Sequence, residues 1–201
     1  MKELTDYIWY KEDILDKKLC DRIVKKWDKD AKNQVESGSD NADQDINRHL
    51  RKGKEINVSK VAKDDTPSKP IWKKDHKLLV DRTAEVLKQY GEELNLDARH
   101  IPEKYGFEEF RIKRYDNNDV DTYEVHSDVI NYNSARRFLG IIYYLNDVEE
   151  GGNTSFPKLE VDFKPKKGTA LVFPAIWIYL YEEQIVISNP KFVLGTYLHY
   201  L

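Results

Sequence analysis

The chain has little of what marks secreted, membrane-bound or nucleic-acid-binding proteins. Its 201 residues include one cysteine, Cys20, which excludes an internal disulfide. No apolar run approaches the roughly 20 residues of a membrane-spanning helix, and the first residues lack the apolar segment of a signal peptide. Neither sign of charge dominates, since 33 basic and 36 acidic residues leave a net charge of −3. We therefore expect a cytoplasmic protein whose partners include neither nucleic acid nor a membrane.

The length and the 40% hydrophobic content predict one structural domain with one good core. Apolar residues at helical spacing after the helix-capping residue Asp16 predict a first helix that reaches Trp27. A second helix is expected over about 74–90, with Gly91 as its C-terminal stop. The polar stretch 31–70 predicts mostly loop, which is either a mobile lid or a solvated connection.

From residue 105 onward the pattern changes from helical to extended and stays extended to the end. Short β-prone runs alternate with Gly, Pro and Asn turn signals, which is typical of a sandwich or barrel. The expected fold class is α+β, mainly β, with residues 1–104 as helical support and polar loops and 105–201 as the β core. The expected strands include 138–145, 169–173, 176–181, 184–188 and 192–200.

The tripeptide His126-Ser127-Asp128 is the first indication of chemistry. Side chains two residues apart in a strand point to the same face, so His126 and Asp128 can grip one ion. An imidazole and a carboxylate are two parts of the two-histidine, one-carboxylate triad that holds non-haem Fe(II) with open coordination positions. The tripeptide is weak by itself, and a third ligand is expected near the C-terminus.

The motifs around this tripeptide resemble, in order and spacing, the prolyl 4-hydroxylase type of Fe(II)/2-oxoglutarate dioxygenase. The resemblance extends over roughly residues 105–200, and the chain looks like the short bacterial or phage members. It implies a double-stranded β-helix, or jelly roll, whose open end holds iron. The motifs are Tyr115, Tyr123 to Asp128, Arg137, Tyr144-Leu145-Asn146, Glu150 to Phe156, Pro165 to Gly168, Phe173-Pro174, Trp177 and Lys191-Phe192.

The resemblance implies a role for each matched position. His126 and Asp128 match the first two metal ligands. Lys191 matches the residue that pairs with the distal carboxylate of 2-oxoglutarate, assisted by the hydroxyl groups of Tyr115 and Thr154. A dianion deep in a barrel requires a buried cation and hydroxyl donors, because an unpaired carboxylate there is very costly.

The same resemblance implies a peptide substrate. Tyr123, Arg137 and Tyr197 match positions that contact the peptide in this family, and Arg137 can present its planar donors to a carbonyl. A second interpretation of Arg137 is a charged turn before the next strand. The implied reaction hydroxylates a C–H bond, with peptidyl proline as the expected substrate, and converts 2-oxoglutarate and O2 to succinate and CO2. Ascorbate is the expected additional cofactor.

The distal histidine of the family is replaced, because counting from either neighbouring motif reaches Tyr181. A phenol has an ordinary pKa of about 10, so it is a poor ligand at neutral pH unless the metal displaces its proton. Three interpretations stay open: Tyr181 ligates iron in an atypical active site, it fills a weakened or inactive site, or Glu183 reaches the metal instead. Two functions follow, an active dioxygenase and a catalytically impaired or inactive metal- and 2-oxoglutarate-binding domain of the same fold.

Overall fold

The structure is a computed structural model that describes residues 2–39, 50–64 and 67–201. Across these ranges the chain forms three α-helices and twelve β-strands. None of the helices in the described part is long and apolar enough to cross a membrane. The helices are α1 (Lys17–Lys29), α2 (Val58–Lys63) and α3 (Lys69–Glu93).

The first predicted helix is confirmed as α1. Asp16 caps it, because its Oδ1 accepts a hydrogen bond from the backbone N–H of Leu19 at 3.1 Å. The buried stripe at helical spacing is the one expected from the sequence, and it presses the helix against the sheet. Its buried residues are Leu19, Cys20, Ile23 and Trp27.

The second predicted helix is confirmed as α3, but both ends differ from the prediction. The helix begins five residues earlier, with Pro70 in its first turn, where a missing N–H leaves no hydrogen bond unmade. Gly91 does not stop it. The stop comes at Asn95, whose φ of 49° is left-handed, while the Leu96 N–H bonds back to the Gly91 carbonyl at 2.9 Å.

The prediction of mostly loop over 31–70 is wrong for its later part. Lys54–Asn57 forms strand β3 and is followed directly by α2. Ile56 and Val58, two of the scattered apolar residues, are fully buried in the core. The interpretation of this stretch as a lid also concerns 40–49 and 65–66, which lie outside the described residues.

All strand pairings are antiparallel, and over the described ranges they form two sheets. The large sheet has the order β1-β10-β7-β12-β5-β3-β2, with β4 also pairing with β12, and the small sheet has the order β6-β11-β8-β9. The remaining strands are β1 (Trp9–Lys11), β2 (Val35–Glu36), β4 (Tyr105–Phe107), β5 (Arg111–Tyr115), β6 (Tyr123–His126), β7 (Arg137–Tyr144), β8 (Thr154–Phe156), β9 (Val161–Phe163), β10 (Ala170–Pro174), β11 (Tyr181–Glu183) and β12 (Lys191–Tyr200).

Three of the named strands are confirmed as β7, β10 and β12, with bounds within one residue. The strands expected at 176–181 and 184–188 are wrong. A turn occupies the first run, closed by a 2.9 Å hydrogen bond from Tyr179 N to the Ile176 carbonyl, and Trp177 is 71% exposed there. The observed strand, β11, begins at the last residue of the first run and ends just before the second, because it pairs with β6 on one side and β8 on the other.

The apolar interior has two parts. One cluster joins the helices to the large sheet, and in it Trp27 meets Phe192 edge to face with ring centroids 5.7 Å apart. The second cluster takes residues from both sheets and is rich in tyrosine and phenylalanine. It includes Tyr115, Tyr123, Tyr144, Phe156, Phe173 and Tyr181, so it surrounds the residues that the sequence marks for chemistry.

Candidate active site

The structure brings His126 and Asp128 together, although not on one strand. Strand β6 ends at His126 and Asp128 lies just beyond it, yet His126 Nε2 and Asp128 Oδ1 are 3.7 Å apart. Arg137 fixes the carboxylate's backbone, because its Nη1 donates to the Asp128 carbonyl at 2.8 Å. The same-face argument from strand geometry is therefore wrong in detail, and the chain bend after His126 replaces it.

Two buried atoms of this pair are left without a hydrogen-bond partner among the described residues, His126 Nε2 and Asp128 Oδ2. The Nδ1–H of His126 donates to the Glu124 carbonyl at 2.7 Å, which leaves Nε2 with a free lone pair. Burial lowers the pKa of His126 well below its ordinary value, so the imidazole is neutral. Unsatisfied buried polar atoms are rare, and a neutral imidazole beside a carboxylate fits two ligands of a divalent metal ion.

Tyr181 lies at the third position but is turned to Asp128. Its hydroxyl donates to Asp128 Oδ1 at 3.2 Å, and the Tyr197 hydroxyl donates to the same oxygen at 2.6 Å. Burial, and next the charge of Asp128, raises the pKa of Tyr181 well above 10. Over the described ranges no three His, Cys, Asp or Glu side chains form a group able to hold a metal. Two of the three expected ligand positions, His126 and Asp128, therefore suit a metal ion. The third, Tyr181, does not, because its hydroxyl is bonded to Asp128.

Tyr123 holds the plane of the His126 ring. The two rings stack with centroids 3.3 Å apart and planes 17° apart. Arg51 Nη2 in turn donates to the Tyr123 hydroxyl at 2.7 Å and lies over its ring. Tyr123 therefore supports the histidine here, and its role in contacting a peptide stays a prediction.

Lys191 is fully buried at the start of β12, where its backbone pairs with Tyr115 of β5. Its ammonium donates to the Gly152 carbonyl at 2.5 Å and forms a salt bridge with the carboxylate of Glu183. Gly152 adopts a φ of +67°, a conformation that glycine takes without strain, and this turns its carbonyl to the lysine. The positive charge of Lys191 is thus balanced by a side chain of the same chain.

The Glu183 carboxylate is buried and has further partners. Thr154 Oγ1 donates to Glu183 Oε2 at 2.8 Å, and the Tyr144 hydroxyl donates to Thr154 Oγ1 at 2.7 Å. The resemblance assigns Lys191 and Thr154 to the distal carboxylate of 2-oxoglutarate, and here both contact Glu183. The residues present do not fit that co-substrate, because a second carboxylate would have to lie against the first.

Arg137 is engaged by the protein itself. Its guanidinium makes a two-pronged ion pair with Glu108, with both hydrogen bonds at 2.9 Å, and lies 4.1 Å from the centre of the Tyr197 ring. Together with its bond to the Asp128 carbonyl, these contacts make Arg137 a positioning residue for the Asp128 backbone. Its contact with a peptide substrate stays a prediction.

A cavity of about 640 Å³ opens onto these residues and continues along the large sheet. Asp128, Tyr181 and Glu183 line it, and so does Lys113, which sequence reasoning missed. Burial, together with the charge of Arg51, lowers the pKa of Lys113 to about 8. Strand parity could have indicated it, since Lys113 is two residues before Tyr115 on β5.

Comparisons with known proteins indicate the same class of protein as the His126 and Asp128 pair does. Residues 110–199 match the family model of the 2OG-Fe(II) oxygenase superfamily. The probable prolyl 4-hydroxylase 9 of Arabidopsis thaliana is 33% identical over a stretch that covers 40% of this chain and 34% of that protein. The match thus spans about a third of the curated relative. The resemblance to prolyl 4-hydroxylase-type 2-oxoglutarate oxygenases is confirmed.

Solved structures show the same fold. The viral collagen prolyl hydroxylase of Paramecium bursaria Chlorella virus-1, as a 2OG complex, is 19% identical, covers 97% of this chain and 96% of its own, and has a TM-score of 0.62. A Pseudomonas putida prolyl-4-hydroxylase is 15% identical, with coverage of 97% and 93% and a TM-score of 0.62. A Trichoplax adhaerens prolyl hydroxylase, in complex with a hypoxia inducible factor peptide fragment, is 14% identical, with coverage of 97% and 84% and a TM-score of 0.66.

Proposed function

We propose that this chain is a prolyl 4-hydroxylase-type domain with a jelly-roll fold that keeps part of the metal site and is impaired in the oxygenase reaction. The observation that carries the proposal is the third ligand position, where the Tyr181 hydroxyl donates to Asp128 Oδ1. A protonated phenol bonded to the neighbouring ligand offers the metal no lone pair comparable to that of an imidazole. We also propose that residues 1–104 and 105–201 are parts of one structural domain.

The residues that would hold Fe(II) are His126 and Asp128, through the two atoms that have no hydrogen-bond partner among the described residues. In oxygenases of this kind, iron supplies the activation of O2. With two protein ligands, we expect weaker metal binding than a full triad gives. Binding through Tyr181 would also require the phenol to lose its proton, which is costly because burial raises the pKa of Tyr181 well above 10.

The proposed partner is a peptide or protein segment, with proline-containing sequences as the first to test. The support is the cavity of about 640 Å³, which is lined by Asp128, Arg137 and Tyr197 together. The Trichoplax neighbour carries a peptide in its structure, and we extend that property to this chain as part of the proposal. Tyr197, which is partly exposed and lines this cavity, offers an aromatic surface that suits a proline ring.

A second candidate is the active enzyme, which would hydroxylate peptidyl proline with Fe(II), 2-oxoglutarate, O2 and ascorbate. The specific observation in its favour is that, within the described part of the chain, His126 Nε2 and Asp128 Oδ2 both lack a hydrogen-bond partner, which a metal would supply. The two candidates differ in whether succinate is formed from 2-oxoglutarate.

The test measures Mn2+ affinity by electron paramagnetic resonance and succinate release with Fe(II), ascorbate and a proline-rich peptide. We expect weak Mn2+ binding and no succinate from the unaltered protein, at least tenfold tighter Mn2+ binding in Tyr181→His, and none in His126→Ala. Tyr200→His, which places the same new side chain at an exposed position, should leave Mn2+ affinity unchanged. Succinate release above the His126→Ala background would overturn the proposal and establish the active enzyme.

A further inference from the structure

Four polar side chains form a hydrogen-bonded network deep in the protein, next to the cavity. Lys191, Thr154 and Tyr144 show no exposed surface, and Glu183 is 2% exposed. The order of contacts runs from the Lys191 ammonium to Glu183 Oε2, from Thr154 Oγ1 to the same oxygen, and from the Tyr144 hydroxyl to Thr154. The ammonium, the carboxylate and the two hydroxyl groups therefore each have a hydrogen-bond partner within the protein.

A fully buried ammonium requires an opposite charge, because leaving it unpaired in a low-dielectric interior is strongly unfavourable. In a protein that receives a dicarboxylate at such a lysine, the ligand brings that charge. Here Glu183 brings it, eight residues before Lys191 in sequence and on the adjoining small sheet. An intramolecular carboxylate has a high effective concentration, so a free one must compete at a disadvantage.

We propose that Glu183 determines the ligand specificity of this pocket by occupying the carboxylate position of Lys191, and that it thereby excludes dicarboxylic 2-oxo acids such as 2-oxoglutarate. The inference rests on the proposed function, since it takes this protein as a prolyl 4-hydroxylase-type domain, in which Lys191 matches the residue that pairs with the co-substrate. It goes further than the impaired metal site, because it concerns the other end of the co-substrate and a different residue.

The position of Glu183 separates this role from that of an ordinary structural ion pair. The residue lines the same cavity as Tyr181 and Asp128, so removing its side chain opens the lysine to that cavity. A carboxylate entering from the cavity would then find the Lys191 ammonium and the Thr154 hydroxyl in place. Glu182 next to it is the matched control, since alternate residues of a strand face opposite sides.

The experiment compares the unaltered protein with Glu183→Ala and Glu182→Ala. Binding of 2-oxoglutarate and of glutarate is measured by calorimetry and by the shift in melting temperature. We expect no response from the unaltered protein or Glu182→Ala. Glu183→Ala should bind both acids at least tenfold more tightly than the weakest binding that the measurement detects. The gain should disappear in the double variant Glu183→Ala/Lys191→Met, which removes the cation.

Glutarate separates this inference from the proposed function. It has no 2-oxo group to chelate a metal, so its binding without added metal reports on the Lys191 end of the pocket, whereas Mn2+ affinity reports on His126 and Asp128. Tight 2-oxoglutarate binding by the unaltered protein, or a folded Glu183→Ala that gains no affinity, would overturn the inference. Where Glu183→Ala does not fold in buffer alone, refolding is measured with and without glutarate. Recovery that needs the dicarboxylate supports the inference, and failure to recover with it counts against the inference.

Discussion

At the scale of single residues, Lys113 is a pocket residue whose buried charge lowers the stability of the folded protein. Its side chain lines the cavity beside Tyr123, with the ammonium 5.4 Å from the centre of that ring. Burial is the main cause that lowers its pKa to about 8, and the charge of Arg51 adds to it, against the attraction of Glu55 and Asp128. A lysine held charged in such surroundings destabilises the folded state relative to the unfolded state.

Replacing Lys113 with Met should therefore stabilise the protein at pH 7. The shift from 10.5 to about 8 corresponds to at most about 3 kcal/mol of unfolding free energy, at 1.36 kcal/mol for each pKa unit. Between pH 8 and 10.5 the unfolded chain holds the proton that the folded chain has released, so stability should rise with pH in that window. Lys113→Met should remove this rise, which urea titrations at several pH values can measure.

The exposed Lys54 on the neighbouring strand β3 is the control for this prediction. Lys54→Met removes the same charge from the surface and should change the unfolding free energy by no more than about 0.5 kcal/mol. Equal effects of the two substitutions, or a loss of stability in Lys113→Met at pH 7, would contradict the argument.

At the scale of elements, a polar clamp joins α1 to α3. Asp75 of α3 is almost fully buried and accepts hydrogen bonds from Arg22 at 3.0 Å and from Lys26 at 2.6 Å. Burial alone would raise the pKa of Asp75, but the bonds and charges of Arg22 and Lys26 outweigh it and lower the pKa below 3.8. The clamp ties together two helices that both contribute buried residues to the core against the large sheet.

Asp75→Asn should destabilise the protein by about 2 kcal/mol at pH 7, because it leaves two cations with a weaker acceptor. The carboxylate contributes fully above the unfolded pKa of about 4, and the contribution is lost as the pH falls through the lower folded pKa. The unaltered protein should thus lose stability below pH 4 more steeply than the variant, as measured by thermal melts from pH 2 to 7. Parallel losses in the two proteins would contradict this assignment.

The elements differ in how far the sequence predicts them. Asp16 and the apolar stripe to Trp27 predict α1 because capping and helical spacing are local properties. Local patterns do not predict strand β11, because its two glutamates, Glu182 and Glu183, have low strand propensity and form a strand only through pairing on both sides. Pairing partners lie far away in sequence, so local patterns miss such a strand.

The candidate site is likewise predicted from the sequence only in part. Motif order predicts that His126, Asp128 and Lys191 serve one pocket, because the order reflects a known arrangement. Strand parity alone places Tyr181 and Glu183 on one face and leaves open which target each reaches. A register shift between these two residues in the pairing of β11 with β6 sends the phenol to Asp128 and the carboxylate to Lys191. A bulge of this kind depends on three-dimensional packing.

At the scale of the whole molecule, the N-terminal and C-terminal parts share one sheet. Strand β1 pairs with β10 at one edge, and β3 pairs with β5 towards the other. Helix α1 adds Trp27, whose ring packs on Phe192 of β12. The N-terminal part thus covers an apolar face of the large sheet and supplies the strands at both of its edges.

An isolated fragment of residues 105–201 should therefore fail to fold. Without 1–104 the large sheet loses the partners of β10 and β5, and the face around Phe192 and Leu194 is exposed to water, where each large apolar side chain loses about 1.5–3 kcal/mol of burial. Five such side chains together lose about 7–15 kcal/mol, which is comparable to the roughly 5–15 kcal/mol that typically separates folded from unfolded chains. Circular dichroism melts and the dispersion of amide resonances test this. A cooperative transition in the fragment would show that 105–201 is a domain of its own, whereas its recovery only on mixing with 1–104 would establish a single folding unit.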